Sequence, residues 1–275
     1  MGEVGKQVTK KKSAGLRGRP GAGLLAGGAR ALLDLLFPAH CVVCDAVLPL
    51  FSAPGVCHRC EGKLRYVEEP FCMQCGRSVA SEHMACCFSC EQQRKKSTGR
   101  EEAFPFLYNR ALLQYTDEAA ASLARFKYGG RREYASFYME QWFQTYGAEL
   151  MRAPIDTMIP VPIHEQRRRK RGYNQAEVLA GQLSRHVPAE LRFDLLARTR
   201  KTVAQKELSA GERRINLRQA FAVTGDVTGR HILLVDDIYT TGSTMTACSR
   251  RLLEAGAASV RGAVVAIGAS DAPSA

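Results

Sequence analysis

His231-Ile232-Leu233-Leu234-Val235-Asp236-Asp237-Ile238-Tyr239-Thr240-Thr241-Gly242-Ser243-Thr244 is the stretch whose reading decides the fold. Its first five residues are mostly β-branched or leucine with no alternation, which suits a strand buried on both faces of a parallel sheet. Two carboxylates follow at the strand's carboxyl end. The chain then turns through Thr240, Thr241 and Gly242 into a helical pattern from Ser243, with Met245, Cys248 and Leu252 at helical spacing and Gly256 placed to stop it.

That order suits one ligand class. Unpaired N–H groups where a Thr/Gly turn enters a helix, with the hydroxyls of Thr240, Thr241, Ser243 and Thr244, can wrap a phosphate monoester at the positive helix end. Carboxylates before the turn would repel that phosphate, so they read better as acceptors for sugar hydroxyls or as ligands to Mg²⁺ through water. Phosphate on one side of a polyol and carboxylates on the other describe a ribose 5-phosphate. The segment resembles the 5-phosphoribosyl-1-pyrophosphate (PRPP) loop of type I phosphoribosyltransferases. That resemblance implies Asp236 and Asp237, the expected catalytic pair, on the ribose 2′ and 3′ hydroxyls, with Thr240, Thr241, Gly242, Ser243 and Thr244 on the 5-phosphate.

At 275 residues the chain has room for one α/β domain and a smaller module. No apolar run reaches membrane-spanning length, since residues 21–38 are interrupted by Arg30 and Asp34. The expectation is therefore a cytoplasmic protein without a transmembrane segment. The formal net charge is +12. Half of that excess sits in the Gly-rich first 30 residues, where seven Lys and Arg face only Glu3; residues 1–28 read as a disordered basic tail. A second basic cluster runs from Arg167 to Arg171.

Nine of the ten cysteines lie between Cys41 and Cys90. Eight form four CxxC units: Cys41/Cys44, Cys57/Cys60, Cys72/Cys75 and Cys87/Cys90. Such a turn puts two sulfurs on one side of a tight loop, so two units complete a tetrahedral thiolate shell and four units make two zinc sites. The simplest pairing joins Cys41, Cys44, Cys57 and Cys60 in one site and Cys72, Cys75, Cys87 and Cys90 in the other. Cross-pairing of alternate units and use of Cys86 in place of Cys87 stay open. His40, His58 and His83 are expected to be bystanders. The short polar segments between the cysteines cannot build a core alone, so metal supplies most of the folding energy of a module over 29–98. Four-thiolate zinc has no open position for catalysis.

Glu91 to Glu102 reads as a polar linker, and Phe104 to Tyr108 as an edge strand. Helices are expected from Asp117 to Tyr128, from Tyr134 to Gly147 and from Asn174 to His186. Strands are expected from Thr157 to the prolines at 160 and 162, over Arg192 to Leu196, over Arg218 to Thr224 and over Ser259 to Ile267. Strands alternating with helices over 103–275 imply an α/β fold with a mainly parallel, doubly wound sheet and ligands at its carboxyl edge.

Several pieces then coincide in order. Leu35-Leu36-Phe37-Pro38 precedes Cys41; Phe126-Lys127-Tyr128-Gly129-Gly130 follows the cysteines; next come Ile159-Pro160-Val161-Pro162, Arg171-Gly172-Tyr173-Asn174-Gln175, a stretch with Gln205, Leu208, Arg213 and Asn216, and the Asp-Asp-Thr-Thr-Gly loop. The ordered set resembles the ComF family, phosphoribosyltransferase-like proteins with an N-terminal double zinc ribbon. That resemblance implies a link to natural competence and to incoming single-stranded DNA, with partners among DNA-uptake proteins. It places Pro160 to His164 in the pyrophosphate-loop slot and Thr202 to Asn216 where such enzymes keep a flap. Lys127, Arg171, Asn174, Gln205 and Arg213 are the further polar residues expected to reach phosphate or base.

In 6-oxopurine transferases the residue equivalent to Thr240 is an Asp acting as base toward the purine, so purine salvage of that type is disfavoured. Two function classes follow. One is Mg²⁺-dependent transfer of phosphoribose from PRPP to an unidentified acceptor. The other is a non-catalytic protein that binds single-stranded nucleic acid through its zinc ribbons and Arg167 to Arg171. The missing Asp base at Thr240 and the prolines of the pyrophosphate-loop slot, which remove N–H donors, favour the second; the intact acidic pair favours the first, because DNA lacks the 2′ hydroxyl.

Overall fold

The computed structural model describes residues 36–96, 104–199 and 219–268. The basic tail and the expected flap, with Gln205 and Arg213, lie outside the described residues. The strands are β1 (Asn109–Gln114), β2 (Thr157–Pro160), β3 (Glu190–Leu191), β4 (Leu196–Arg198), β5 (Phe221–Val223), β6 (His231–Tyr239) and β7 (Ser259–Ile267). The helices are α1 (Phe88–Lys96), α2 (Asp117–Tyr128), α3 (Tyr134–Arg152), α4 (Glu165–Arg171), α5 (Gln175–Leu183) and α6 (Ser243–Glu254).

Five strands form one all-parallel sheet in the order β1-β7-β6-β2-β3. Alternate residues of β6 feed separate cores. Leu233 and Val235 pack with Tyr134, Tyr138, Met139 and Leu179 of α3 and α5, whereas Ile232 and Leu234 pack with Met245, Cys248 and Leu252 of α6. Both faces are therefore covered, which is why β6 carries an unbroken apolar run. From β2 the chain moves outward to β3, and from β6 it moves the other way to β7. The carboxyl ends of β2 and β6 thus flank a topological switch point, where open α/β sheets bind ligands.

The cysteine module closes the β1 edge of this sheet. Val67 N donates to Leu112 O at 2.9 Å and Gln114 N to Arg65 O at 2.8 Å, so residues 65–67 occupy hydrogen-bonding groups that an edge strand would leave open. Cys41 and Cys60 join the core on one face, and Cys72, Cys75, Cys87 and Cys90 join the core on the other. The module is packed into the sheet domain rather than strung beside it.

Several expectations need correction. The edge strand is Asn109–Gln114, not Phe104 to Tyr108; Phe104 and Phe106 instead form an edge-to-face pair 5.7 Å apart inside the core. Part of the expected linker is helical, because α1 starts at Phe88 and places Cys87 and Cys90 one turn apart against the second cluster. Helix α3 runs on to Arg152. The expected strand at Arg192 to Leu196 falls between β3 and β4, and β5 pairs antiparallel with β4 outside the main sheet. Strand β6 extends through the acidic pair to Tyr239, while α2 and β7 keep their expected bounds.

Candidate functional site

Asp236 and Asp237 stand where β6 passes the switch point. Asp237 Oδ2 meets Lys127 Nζ at 2.9 Å, with both side chains largely buried. Asp236 Oδ1 accepts the backbone N–H of Asp237 at 2.8 Å. Burial, and after it the charge of Asp237, pushes the Asp236 carboxyl up to about 7. Lys127 and Arg198 act in the opposite direction on it. Arg198 is a site neighbour that sequence reasoning passed over; its guanidinium lies 5.2 Å from the centre of the Phe221 ring, on the hairpin that leads into the undescribed segment.

The turn after β6 has the shape of an anion cradle. Gly242 adopts φ +74° and stands immediately before α6. A Cβ there would run into the ring and hydroxyl of Tyr239, so glycine is required both for the left-handed backbone and for space. Thr241 Oγ1 and Ser243 Oγ lie 2.7 Å apart, and Thr240, Thr241 and Ser243 are exposed. Thr246 N donates to Gly242 O at 2.8 Å, so the helical ladder begins at Gly242 and the N–H groups of the first turn of α6 have no carbonyl partner within the helix.

The scattered sequence motifs converge on this place, in roles that partly differ from expectation. Lys127 pairs with Asp237 rather than standing open for phosphate. Arg171 donates to Tyr128 Oη at 2.8 Å and to Gln175 Oε1 at 2.7 Å, and its guanidinium lies 4.8 Å from the Tyr128 ring centre. Phe126 meets Tyr173 edge to face at 6.0 Å. Asn174 is 2% exposed and caps α5 by accepting from Ala176 N at 3.1 Å, while its amide donates to Val161 O at 3.1 Å. It fixes the loop after β2. Val161 N in turn donates to Val235 O at 2.9 Å. His164 caps α4, on which Arg167, Arg168, Arg169 and Lys170 are all exposed.

The eight cysteines fall into the two simplest groups, Cys41, Cys44, Cys57 and Cys60, and Cys72, Cys75, Cys87 and Cys90, with the sulfurs of each group within 4.8 Å of one another. Zn–S bonds of about 2.3 Å in a tetrahedron require sulfurs about 3.8 Å apart. Cys44 and Cys57 are 3.7 Å apart at sulfur, and Cys75 and Cys87 are 3.6 Å apart. Both shells fit structural zinc. Cys86 stands outside the second group, and no histidine enters either one among the described residues.

Family profiles match this arrangement from both ends of the chain: one described as a double zinc ribbon domain covers residues 32–91, and one described as a phosphoribosyl transferase domain covers 174–274. The DNA utilization protein YhgH of Escherichia coli O157:H7 is 31% identical over 236 residues, covering 82% of this chain and 96% of that protein. Competence protein ComFC of Bacillus subtilis is 29% identical over 231 residues (79% of this chain, 90% of that one). Competence protein F of Haemophilus influenzae is 30% identical over 237 residues (80% and 93%). Among the described residues no helix is long and apolar enough to cross a membrane. Sequence order, sheet topology, paired cysteine clusters and these relatives agree, and the chain belongs to the ComF-like family, in which a double zinc ribbon precedes a phosphoribosyltransferase domain.

Proposed function

We propose that the cleft at the carboxyl ends of β2 and β6 binds the ribose 5-phosphate part of PRPP with Mg²⁺ and transfers phosphoribose to an acceptor. The observation that carries this reading is the acidic pair at the switch point, set one turn ahead of the Gly242 cradle. Asp236 and Asp237 accept the ribose hydroxyls, and their oxygens also suit Mg²⁺ directly or through water. Thr240, Thr241, Gly242, Ser243 and Thr244 surround the 5-phosphate with N–H and hydroxyl donors. In the transfer the C1–O bond to pyrophosphate breaks, the acceptor forms a bond to C1, and pyrophosphate leaves. The protein contributes position and charge neutralisation to that step. Lys127 holds Asp237 in place, and Asn174 holds the Val161 carbonyl, which steadies the loop that faces the leaving pyrophosphate. The unit boundaries 29–98 and 103–275 belong to the same proposal.

Calorimetric titration with PRPP and MgCl₂ tests the reading. Saturable binding is expected for wild type and its loss for the Asp236→Ala/Asp237→Ala double variant; absence of binding by wild type refutes the proposal.

The exposed Arg167, Arg168, Arg169 and Lys170 on α4 support a second reading, contact with the backbone of single-stranded nucleic acid. The relatives named for DNA utilization and competence are consistent with it. Binding of a fluorescent oligonucleotide should then weaken steeply between about 50 and 200 mM salt. A flat response excludes phosphate contacts of this kind.

A further inference from the structure

We propose that Arg77 makes the second cysteine cluster a working part of the phosphate turn, so that metal held at Cys72, Cys75, Cys87 and Cys90 and ribose phosphate held at Thr240 to Thr244 stabilise one another. The ligand side of this link rests on the reading of the turn given above.

Arg77 lies two residues beyond Cys75, in the knuckle of the second cluster. Its backbone is fixed there, because Cys72 N donates to Arg77 O at 2.7 Å and Gly76 N to Cys72 O at 2.9 Å. The knuckle sits flush against the start of β1. Gly76 has φ +78°, and a Cβ on it would stand 2.5 Å from Asn109 O; Asn109 Nδ2 donates to Cys75 O at 2.9 Å. From this anchored position the Arg77 side chain, 8% exposed, reaches three acceptors. Nε donates to Gly268 O at 2.6 Å, Nη2 to Thr240 O at 2.9 Å and Nη1 to Cys87 Sγ at 3.8 Å. Gly268 N donates to Tyr239 O at 2.9 Å, so one guanidinium spans the ends of β6 and β7 and a cluster cysteine. Only the planar fork of arginine presents donors in that spread.

The contact at Thr240 bears directly on the cradle. In a trans peptide the C=O of one residue and the N–H of the next point in opposite directions. Holding the Thr240 carbonyl toward the ribbon therefore aims the Thr241 N–H away from it, toward the exposed side where the turn opens. Metal at the cluster fixes Cys87 and the knuckle, the knuckle fixes Arg77, and Arg77 fixes a phosphate donor. Linkage requires the reverse as well: ligand at the turn must retain metal at the cluster.

Arg77→Met keeps an unbranched apolar stem and removes every side-chain donor. The full chain carrying it, assayed for zinc and titrated with ribose 5-phosphate, is expected to keep both zinc ions, to bind about tenfold more weakly than wild type, and to exchange the amide hydrogens of 240–244 faster with those of β1 unchanged. Unaltered affinity and unaltered exchange at 240–244 overturn the proposal. If wild type fails to bind ribose 5-phosphate, the reading of the turn fails; the exchange measurement then judges the clamp alone, faster exchange in Arg77→Met supporting it and equal exchange overturning it. If Arg77→Met does not fold, wild type supplies the test through the reciprocal effect. Ribose 5-phosphate should slow the loss of one of the two zinc ions to a chromogenic chelator several-fold, and equal rates with and without it overturn the link.

Discussion

Asp236 concentrates the electrostatics of the site. A carboxyl whose ordinary value is 3.8 is raised to about 7 by burial and by its neighbour Asp237. The folded chain therefore binds a proton that the unfolded chain has already released across the window between these values. Stability contributed by the protonated group is fully present below about pH 4 and is lost as pH rises through 7. Asp236→Asn should flatten that slope, and thermal unfolding of wild type and variant at pH 5 and pH 8 checks it. The variant is expected to melt higher than wild type at pH 8 and close to it at pH 5; parallel losses at both pH values contradict the assignment. A residue held this way is poised to accept hydroxyl hydrogens once a cation or ligand favours its charged form.

At the scale of elements, the β6–turn–α6 unit depends on Gly242 as much as on the acids. Gly242→Ala combines a left-handed backbone with a collision against Tyr239, so a loss of about 3 kcal/mol is expected in urea unfolding, together with loss of ribose phosphate binding. A stable variant that still binds would show that the turn is free to rearrange. This unit was legible in the sequence because apolar run, acids, glycine and helix all lie within a short span and follow local rules. Strand β1 was not. Its apolar pattern is broken by Arg110, whose charge is made tolerable by Glu149 on α3, which pairs with it at 2.7 and 2.9 Å, by the carbonyls of Met73 and Asn109, which accept from it, and by Phe71 and Tyr108, which flank its guanidinium. The contacts of Lys127 and Asn174 were not legible for the same reason: each is decided by a partner distant in sequence, Asp237 and Val161. The four CxxC units were legible because that spacing carries its own geometry, whereas how they divide into two clusters depends on the fold, and the reach of Arg77 to Thr240 joins residues 163 positions apart.

For the whole molecule, the two cysteine clusters brace opposite faces of the same sheet at the β1 edge. Metal is therefore expected to stabilise the sheet as well as the ribbon. Protein purified without chelator should contain close to two zinc ions per chain, and stripping them should lower the melting temperature of the entire chain in one transition. A sheet that melts unchanged after complete zinc removal would contradict this shared architecture. The proposed reading of the cleft that the sheet builds assigns Asp236 and Asp237 to the sugar and the Gly242 turn to the phosphate. Calorimetric comparison of ribose 5-phosphate with 2-deoxyribose 5-phosphate in the presence of Mg²⁺ tests that division of labour most directly. The ribose form should bind about tenfold tighter, since removing the 2′ hydroxyl leaves a carboxylate without its donor. Equal affinity for the two sugars, or binding of neither, would contradict it.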